Sequence, residues 1–218
     1  MTGLARYYIP VCLYPHTKYR TKAGITDLFK KYSLRTCEHL IVITDRLLVL
    51  DRFVTGRYWS PESAFIAARR EADQIRNLID RISHKSGAAA KGRVVFWDHI
   101  SGADDFERFA MRLRKEIEAD TVLTAAIEQF VTKRVERFGL GAAPDRERGH
   151  EREYIVSEIC MSVYCTEVLQ YWTEVWERPP ARDVPDPLKL LYEVRSELVA
   201  RVTGHANLRV LDFLYAAQ

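Results

Sequence analysis

Continuous apolar runs alternate along this chain with stretches of helical period. Tyr7-Tyr8-Ile9-Pro10-Val11-Cys12-Leu13 is rich in aromatic and β-branched residues and predicts a strand, with Pro10 favouring an edge or a strand end. His39-Leu40-Ile41-Val42-Ile43-Thr44 shows no polar alternation, the pattern of a parallel strand buried on both faces, and stops at Asp45-Arg46. Arg93-Val94-Val95-Phe96-Trp97 predicts another parallel strand, and Leu208 to Leu214 a last one. Thr26 to Tyr32 reads as a short helix. Leu47 to Trp59 is apolar but broken by Asp51, Arg52, Gly56 and Arg57, and reads as a helix or loop over the mouth of the sheet. Ser60-Pro61-Glu62 has the form of an N-cap followed by an N1 proline. The helix it opens runs to about Lys85, with Ala68, Ala72, Ile75, Ile79 and Ile82 forming one apolar stripe. Gly87 and Gly92 frame a loop. Helices are expected over 104–117, 120–138, 151–173 and 188–202. Gly139 to Gly149 is expected to be a loop, and the four prolines between Pro179 and Pro187 exclude continuous helix there. Strands separated by helices predict an α/β fold with a mainly parallel sheet and helices on both faces. No internal repeat or low-complexity tract interrupts the pattern.

Composition narrows the class. At 218 residues, against a prior of ~150 per domain, one domain spanning 1–218 is expected. Apolar residues at 47% and charged residues at 29% exclude wholesale disorder. Cys12, Cys37, Cys160 and Cys165 show no CxxC or CxxH spacing, so reduced thiols are expected rather than a disulfide scaffold or zinc ribbon. No apolar run approaches ~18 residues and the start lacks a signal-peptide pattern, so a cytoplasmic protein with no membrane partner is expected. The net charge is only +3, but residues 1–60 carry ten Lys/Arg against four Asp/Glu. That asymmetry points to an anionic partner or simply to a basic solvated surface.

Familiar catalytic loops are missing. No GxGxxG or GxxxxGK[ST] follows a strand, and there is no GxSxG elbow. His16, His39, His84, His99, His150 and His205 are scattered without i, i+4 pairing, so no helical metal motif and no metal or other cofactor is expected. Three constellations remain. On the 151–173 helix, Tyr154, Glu158, Met161, Cys165, Val168 and Trp172 fall on one face at ~100° per residue. Glu158 is the carboxylate in that stripe. It is either a general acid/base of raised pKa or a structural Glu bonded to Arg or backbone. Tyr154, one turn earlier, is placed to share a substrate amine or a proton. Thr44-Asp45 ends a strand, and open α/β sheets bind ligands beyond the carboxyl ends of their strands; the alternative for Asp45 is a helix N-cap. Arg69, Arg70, Arg76, Arg81 and Lys85 lie on the arc opposite the Ala68–Ile82 stripe, extended by Lys91 and Arg93. Such a row is a usable phosphate rail, or an ordinary amphipathic surface with Glu71, Asp73 and Asp80 interspersed.

Taken in this order, the three constellations resemble the tRNA-dependent cyclodipeptide synthases. These join the aminoacyl groups of two aminoacyl-tRNAs into a 2,5-diketopiperazine. The resemblance covers residues 36–180 and implies a Rossmann-like fold, like the catalytic domain of class Ic aminoacyl-tRNA synthetases but without their ATP-binding motifs. It maps the family's His-led strand onto His39–Asp45, its Arg-rich tRNA-contacting helix onto Ala68–Leu78, and its catalytic Tyr-x-x-x-Glu onto Tyr154-Ile155-Val156-Ser157-Glu158. It implies catalytic Tyr154, Glu158 and Thr44, substrate-binding Asp45, Tyr164 and Trp176, and tRNA-binding Arg69, Arg70, Arg76, Arg81 and Lys85. The family places a nucleophilic serine at the strand end, where this chain reads Ile43-Thr44-Asp45-Arg46-Leu47. The chain also lacks the usual extra strand pattern between this strand and the basic helix. It therefore resembles a divergent branch, similar over His39–Trp59 to arginine-using members. Either Thr44 replaces the serine, or Asp45 binds the α-amine or a cationic side chain while the second amine attacks the ester directly. Two rivals stand beside this: a non-catalytic tRNA-binding Rossmann-like protein, and an α/β enzyme acting on a small nucleotide held by the basic stretch 16–22.

Overall fold

The computed structural model describes residues 6–12, 20–44, 60–137, 145–173 and 185–205. The chain forms two compact units, Met1–Ile100 and Ser101–Gln218.

In the first unit, strands β1 (Arg6–Cys12), β2 (Glu38–Thr44) and β3 (Gly92–Phe96) are parallel, with β2 between the other two. Leu40, Ile41, Val42 and Ile43 are at most 2% exposed, which is why β2 reads as an unbroken apolar run. Pro10 lies within β1, opposite Val42. Helix α1 (Lys22–Lys31) starts four residues before the apolar pattern does, because the Thr21 side chain accepts from Gly24 N–H and caps it. Helix α2 (Pro61–Ser86) follows the sequence closely. Ser60 and Ser63 form a reciprocal capping box, Pro61 opens the first turn, and Gly87 closes the helix at φ 75°. The Ala68–Ile82 stripe is buried throughout. α1 packs on α2, and α2 on β3. Trp97, assigned to the strand by its apolar character, instead opens the short helix α3 (Trp97–Ser101).

One close approach fixes β2 against β3. His39 pairs with Gly92, and its ring lies over the glycine so closely that any Cβ there would overlap it. The ring is buried, sits edge-on to Phe29 at 6.0 Å, and places Nδ1 3.1 Å from the Cys37 carbonyl. Burial lowers its pKa, partly offset by that backbone bond.

The second unit is helical. α4 (Asp104–Ala119), α5 (Thr121–Arg137) and α6 (Asp145–Val163) pack on one another, with α7 (Pro187–Val194) against α5 and α8 (Ser196–Thr203) against α4. α6 begins at Asp145, so Gly149 lies inside a helix and not in the expected loop. Its charged first turns are docked by ion pairs: Glu128 of α5 takes Arg152 at 2.9 Å and Arg148 at 3.8 Å, and Arg114 of α4 holds Glu153 with two bonds of 2.7 Å. The expected helix to residue 173 ends early. After Val163 the chain makes a π turn, Tyr164–Val168, and Trp172–Thr173 is extended (β4). The helix expected over 188–202 breaks at Arg195, whose N–H reaches back to the Leu190 and Leu191 carbonyls while its side chain pairs with Asp120 at 2.9 Å. The expected elements at Leu47–Trp59 and Leu208–Leu214 lie outside the described residues.

Candidate active site

All three strands of the first unit end at one level: Cys12 pairs with Thr44, and Ile43 with Phe96. Thr44 is thus the last residue of the central strand, on the carboxyl edge where α/β sheets present ligand-binding groups. Asp45 lies outside the described residues, as does Trp176.

The basic helix divides into two flanks. Arg69 and Arg76 are not opposite the apolar stripe as expected, but at its border. The Arg69 guanidinium stacks 3.7 Å from the centre of the buried Phe96 ring and pairs with Asp98 at 3.3 Å. Arg76 lies 5.1 Å from the same ring and 3.9 Å from Asp80. The far flank carries Arg70, Arg81 and Lys85, all exposed and, among the described residues, in no ion pair. Arg81 and Lys85 share a shallow groove with Gln74, Asn77, Asp80 and His84. The split follows from the 3.6-residue period. At ~100° per residue, Arg69 and Arg76 fall within ~20° of each other, whereas Arg70, Arg81 and Lys85 lie ~100–180° away from them.

In the second unit, α6 contributes Tyr154 and Glu158, one turn apart on a shared face. The surroundings are not a stripe. From Tyr154 to Cys165 nearly every side chain is buried, on all sides of the helix, and Ser157 and Glu158 are the half-buried exceptions. The expected face fails beyond Cys165: the π turn leaves Val168 40% exposed and takes Trp172 off the helix. Tyr154 is buried, and the Arg134 guanidinium of α5 lies 5.4 Å from its ring centre. Arg134 in turn pairs with Glu151 of α6 at 2.5 Å, both nearly inaccessible. Tyr164 is buried between Phe106 and Phe109 and donates to Asp105 at 2.6 Å. Burial, then this bond, raises the Tyr164 pKa, while the same bond lowers that of Asp105.

Sequence patterns missed Arg134, Glu151, Asp105 and Glu167. Arg134 carried a signal: it occupies a core position in the run Leu123, Ile127, Phe130, Val131, Val135. Glu167 carried none; it is buried in the π turn, where it accepts from Tyr192 at 3.1 Å. Cys160 and Cys165 are buried thiols, Cys160 pushed up to about 12 by burial, and thus poor nucleophiles at neutral pH. Among the described residues, no group of three or more His, Cys, Asp or Glu could hold a metal, and no helix is long and apolar enough to cross a membrane.

No family model and no curated protein sequence matches the chain. Solved structures do. A cyclodipeptide synthase from Fluoribacter dumoffii superposes with a TM-score of 0.68 at 12% identity, over 88% of this chain and 85% of its own. A Mycobacterium tuberculosis protein, whose structure relates cyclodipeptide synthetases to type I tRNA synthetases, gives 0.64 at 17% identity over 83% and 80%. The cyclodipeptide synthase of Candidatus Glomeribacter gigasporarum, solved bound to Phe-tRNAPhe, gives 0.60 at 14% identity over 100% and 94%. The chain has the α/β fold of these proteins.

Proposed function

We propose that this chain is an aminoacyl-tRNA-dependent cyclodipeptide synthase, with its two units acting as one catalytic domain. The observation that carries the proposal is the likeness in fold over most of both chains, joined to a Tyr154–Glu158 pair set one turn apart on the helix at the heart of the second unit. An aminoacyl ester is already activated, so peptide-bond formation needs no ATP. The amine of one aminoacyl group attacks the ester carbonyl of the other, and the ribose hydroxyl leaves. The free amine of the resulting dipeptidyl ester then closes the ring with loss of the second tRNA. Glu158 holds the α-ammonium and accepts its proton, and Tyr154 orients the same amine. Tyr164, bonded to Asp105, and Trp176 serve as substrate-binding residues. Phosphates of the tRNA follow the exposed flank of α2, largely without sequence readout.

At the strand end two chemistries remain: attack by Thr44 to give an aminoacyl-enzyme, or direct aminolysis with Asp45 as a recognition carboxylate. The second is favoured, since the β-branch hinders the threonine hydroxyl. One donor being arginyl-tRNA is the narrower form of the proposal and rests on the likeness of His39–Trp59 alone.

The test is expression in a bacterial host with mass spectrometry of the medium for cyclic dipeptides. The unaltered chain should release one, and Glu158→Gln should lower it by at least about 100-fold, the range of a lost acid/base group. Wild-type yield from Glu158→Gln would end the proton-relay role. Incubation with a single charged tRNA should leave no aminoacyl mass on the peptide containing Thr44; an adduct there would reverse the preference for direct aminolysis.

A further inference from the structure

Arg134 and Glu151 are a cation and an anion placed where the packing calls for apolar side chains. Arg134 is 8% exposed in a run of α5 whose other members, Leu123, Ile127, Phe130, Val131 and Val135, are at most 5% exposed. Glu151, 7% exposed, faces it from α6 at 2.5 Å. Burying two charges costs several kcal/mol per ion, and well-packed apolar replacements are often neutral or stabilising. Docking of α5 on α6 does not depend on this pair alone, because Glu128 already bridges the same two helices to Arg148 and Arg152 at the surface. What distinguishes the buried pair is its neighbour. The Arg134 guanidinium lies 5.4 Å from the Tyr154 ring centre and 5.9 Å from that of Phe130, and Glu151 stands three residues before Tyr154 on α6, on the same face.

We propose that the Arg134–Glu151 pair is a positioning device for Tyr154, holding the phenol ring by its face through a guanidinium whose orientation is fixed by Glu151. This deepens the proposed function and rests on it. Arg134 acts through the ring rather than on the substrate. A planar, ion-paired guanidinium over an aromatic face fixes both position and tilt, which an aliphatic neighbour of the same volume does not. Loss of the pair should therefore leave aminoacyl-tRNA binding in place and slow the step in which Tyr154 orients the amine, where misplacement by about 1 Å can cost up to about 100-fold.

The experiment compares full-length variants in steady-state diketopiperazine formation and in thermal unfolding. Arg134→Met with Glu151→Leu should unfold at the wild-type temperature or above it, keep KM for aminoacyl-tRNA within about threefold, and lose at least tenfold in kcat. Glu128→Gln, which opens the exposed bridge, should leave kcat unchanged. Should the double variant fail to fold, Arg134→Lys decides: it keeps the charge and loses the planar fork, and a folded variant with lowered kcat and unchanged KM supports the proposal. A double variant, or the lysine variant in its place, that turns over at the wild-type rate would overturn it. So would a kcat loss that merely tracks the loss of folded protein. If the unaltered chain yields no diketopiperazine, the function itself falls and takes this inference with it; product formed at the same rate by the unaltered chain and the double variant sinks the inference alone.

Discussion

His39 illustrates how a residue can mark a motif and yet serve the frame around it. Its ring lies over Gly92 in the neighbouring strand, edge-on to Phe29, with Nδ1 against the Cys37 carbonyl. Gly92→Ala should destabilise the protein by about 1–3 kcal/mol, the cost of forcing a methyl into a tightly packed space, read as a lower urea midpoint with an unchanged m-value. The same ring ties stability to pH. Burial lowers the folded-state pKa below 6.5, so below pH 6.5 the unfolded chain binds a proton that the folded chain refuses. The contribution is complete above pH 6.5 and is lost as the pH falls towards the folded-state value. Urea midpoints should therefore drop between pH 7 and pH 5, and by less in His39→Asn. An equal drop in that variant would place the pH dependence elsewhere. Nothing in the sequence announced this role. Position 39 read as the head of a strand, whereas the reason for histidine there lies 53 residues away, in a glycine that the pattern assigned only to a loop edge.

Among the elements, legibility followed the environment. β2 and α2 were legible because each meets one kind of surroundings: β2 is apolar on both faces, and α2 has a single buried stripe between a serine cap and a terminal glycine. α6 was not. It is buried all round from Tyr154 onward, so its apolar positions have no preferred face, and its exposed start is held by Arg114 and Glu128 rather than by apolar packing. The π turn then shifts the face of everything after Val163: the Leu169 N–H reaches Tyr164 and the Tyr171 N–H reaches Cys165. For α2 the stripe was legible and its polar side only in part, because Phe96 comes from another element and claims two of the arginines. This yields a test of the proposed tRNA path. Charge reversal of Arg70, Arg81 and Lys85 should weaken tRNA binding by orders of magnitude. It should also lower the slope of log affinity against log salt by about 0.7–0.9 for each phosphate that is no longer neutralised. Arg69→Gln with Arg76→Gln should change that slope by less than the share of one phosphate. A larger change from the second pair would move the phosphate path to the Phe96 side.

At the scale of the molecule, a sheet unit and a helical unit follow one another along 218 residues, and the proposed chemistry draws on both: Thr44 and the basic helix from the first, Tyr154 and Glu158 from the second. The order of these features along the chain was legible from the sequence, and the fold it implied is the one found. The division at Ile100 was not, since no proline- or glycine-rich linker marks it; it falls at the last residue of α3 (Trp97–Ser101). One catalytic domain predicts one cooperative transition, with near-ultraviolet and far-ultraviolet circular dichroism giving the same midpoint and the calorimetric and van't Hoff enthalpies agreeing. Glu158→Gln, altered only at a half-buried position of the second unit, should keep that single transition. Gly92→Ala should lower its midpoint as a whole, because a defect in the sheet then costs the helical unit its stability too. Two resolved transitions, with only the first displaced by Gly92→Ala, would show two domains that fold separately, and the single catalytic domain would have to be given up.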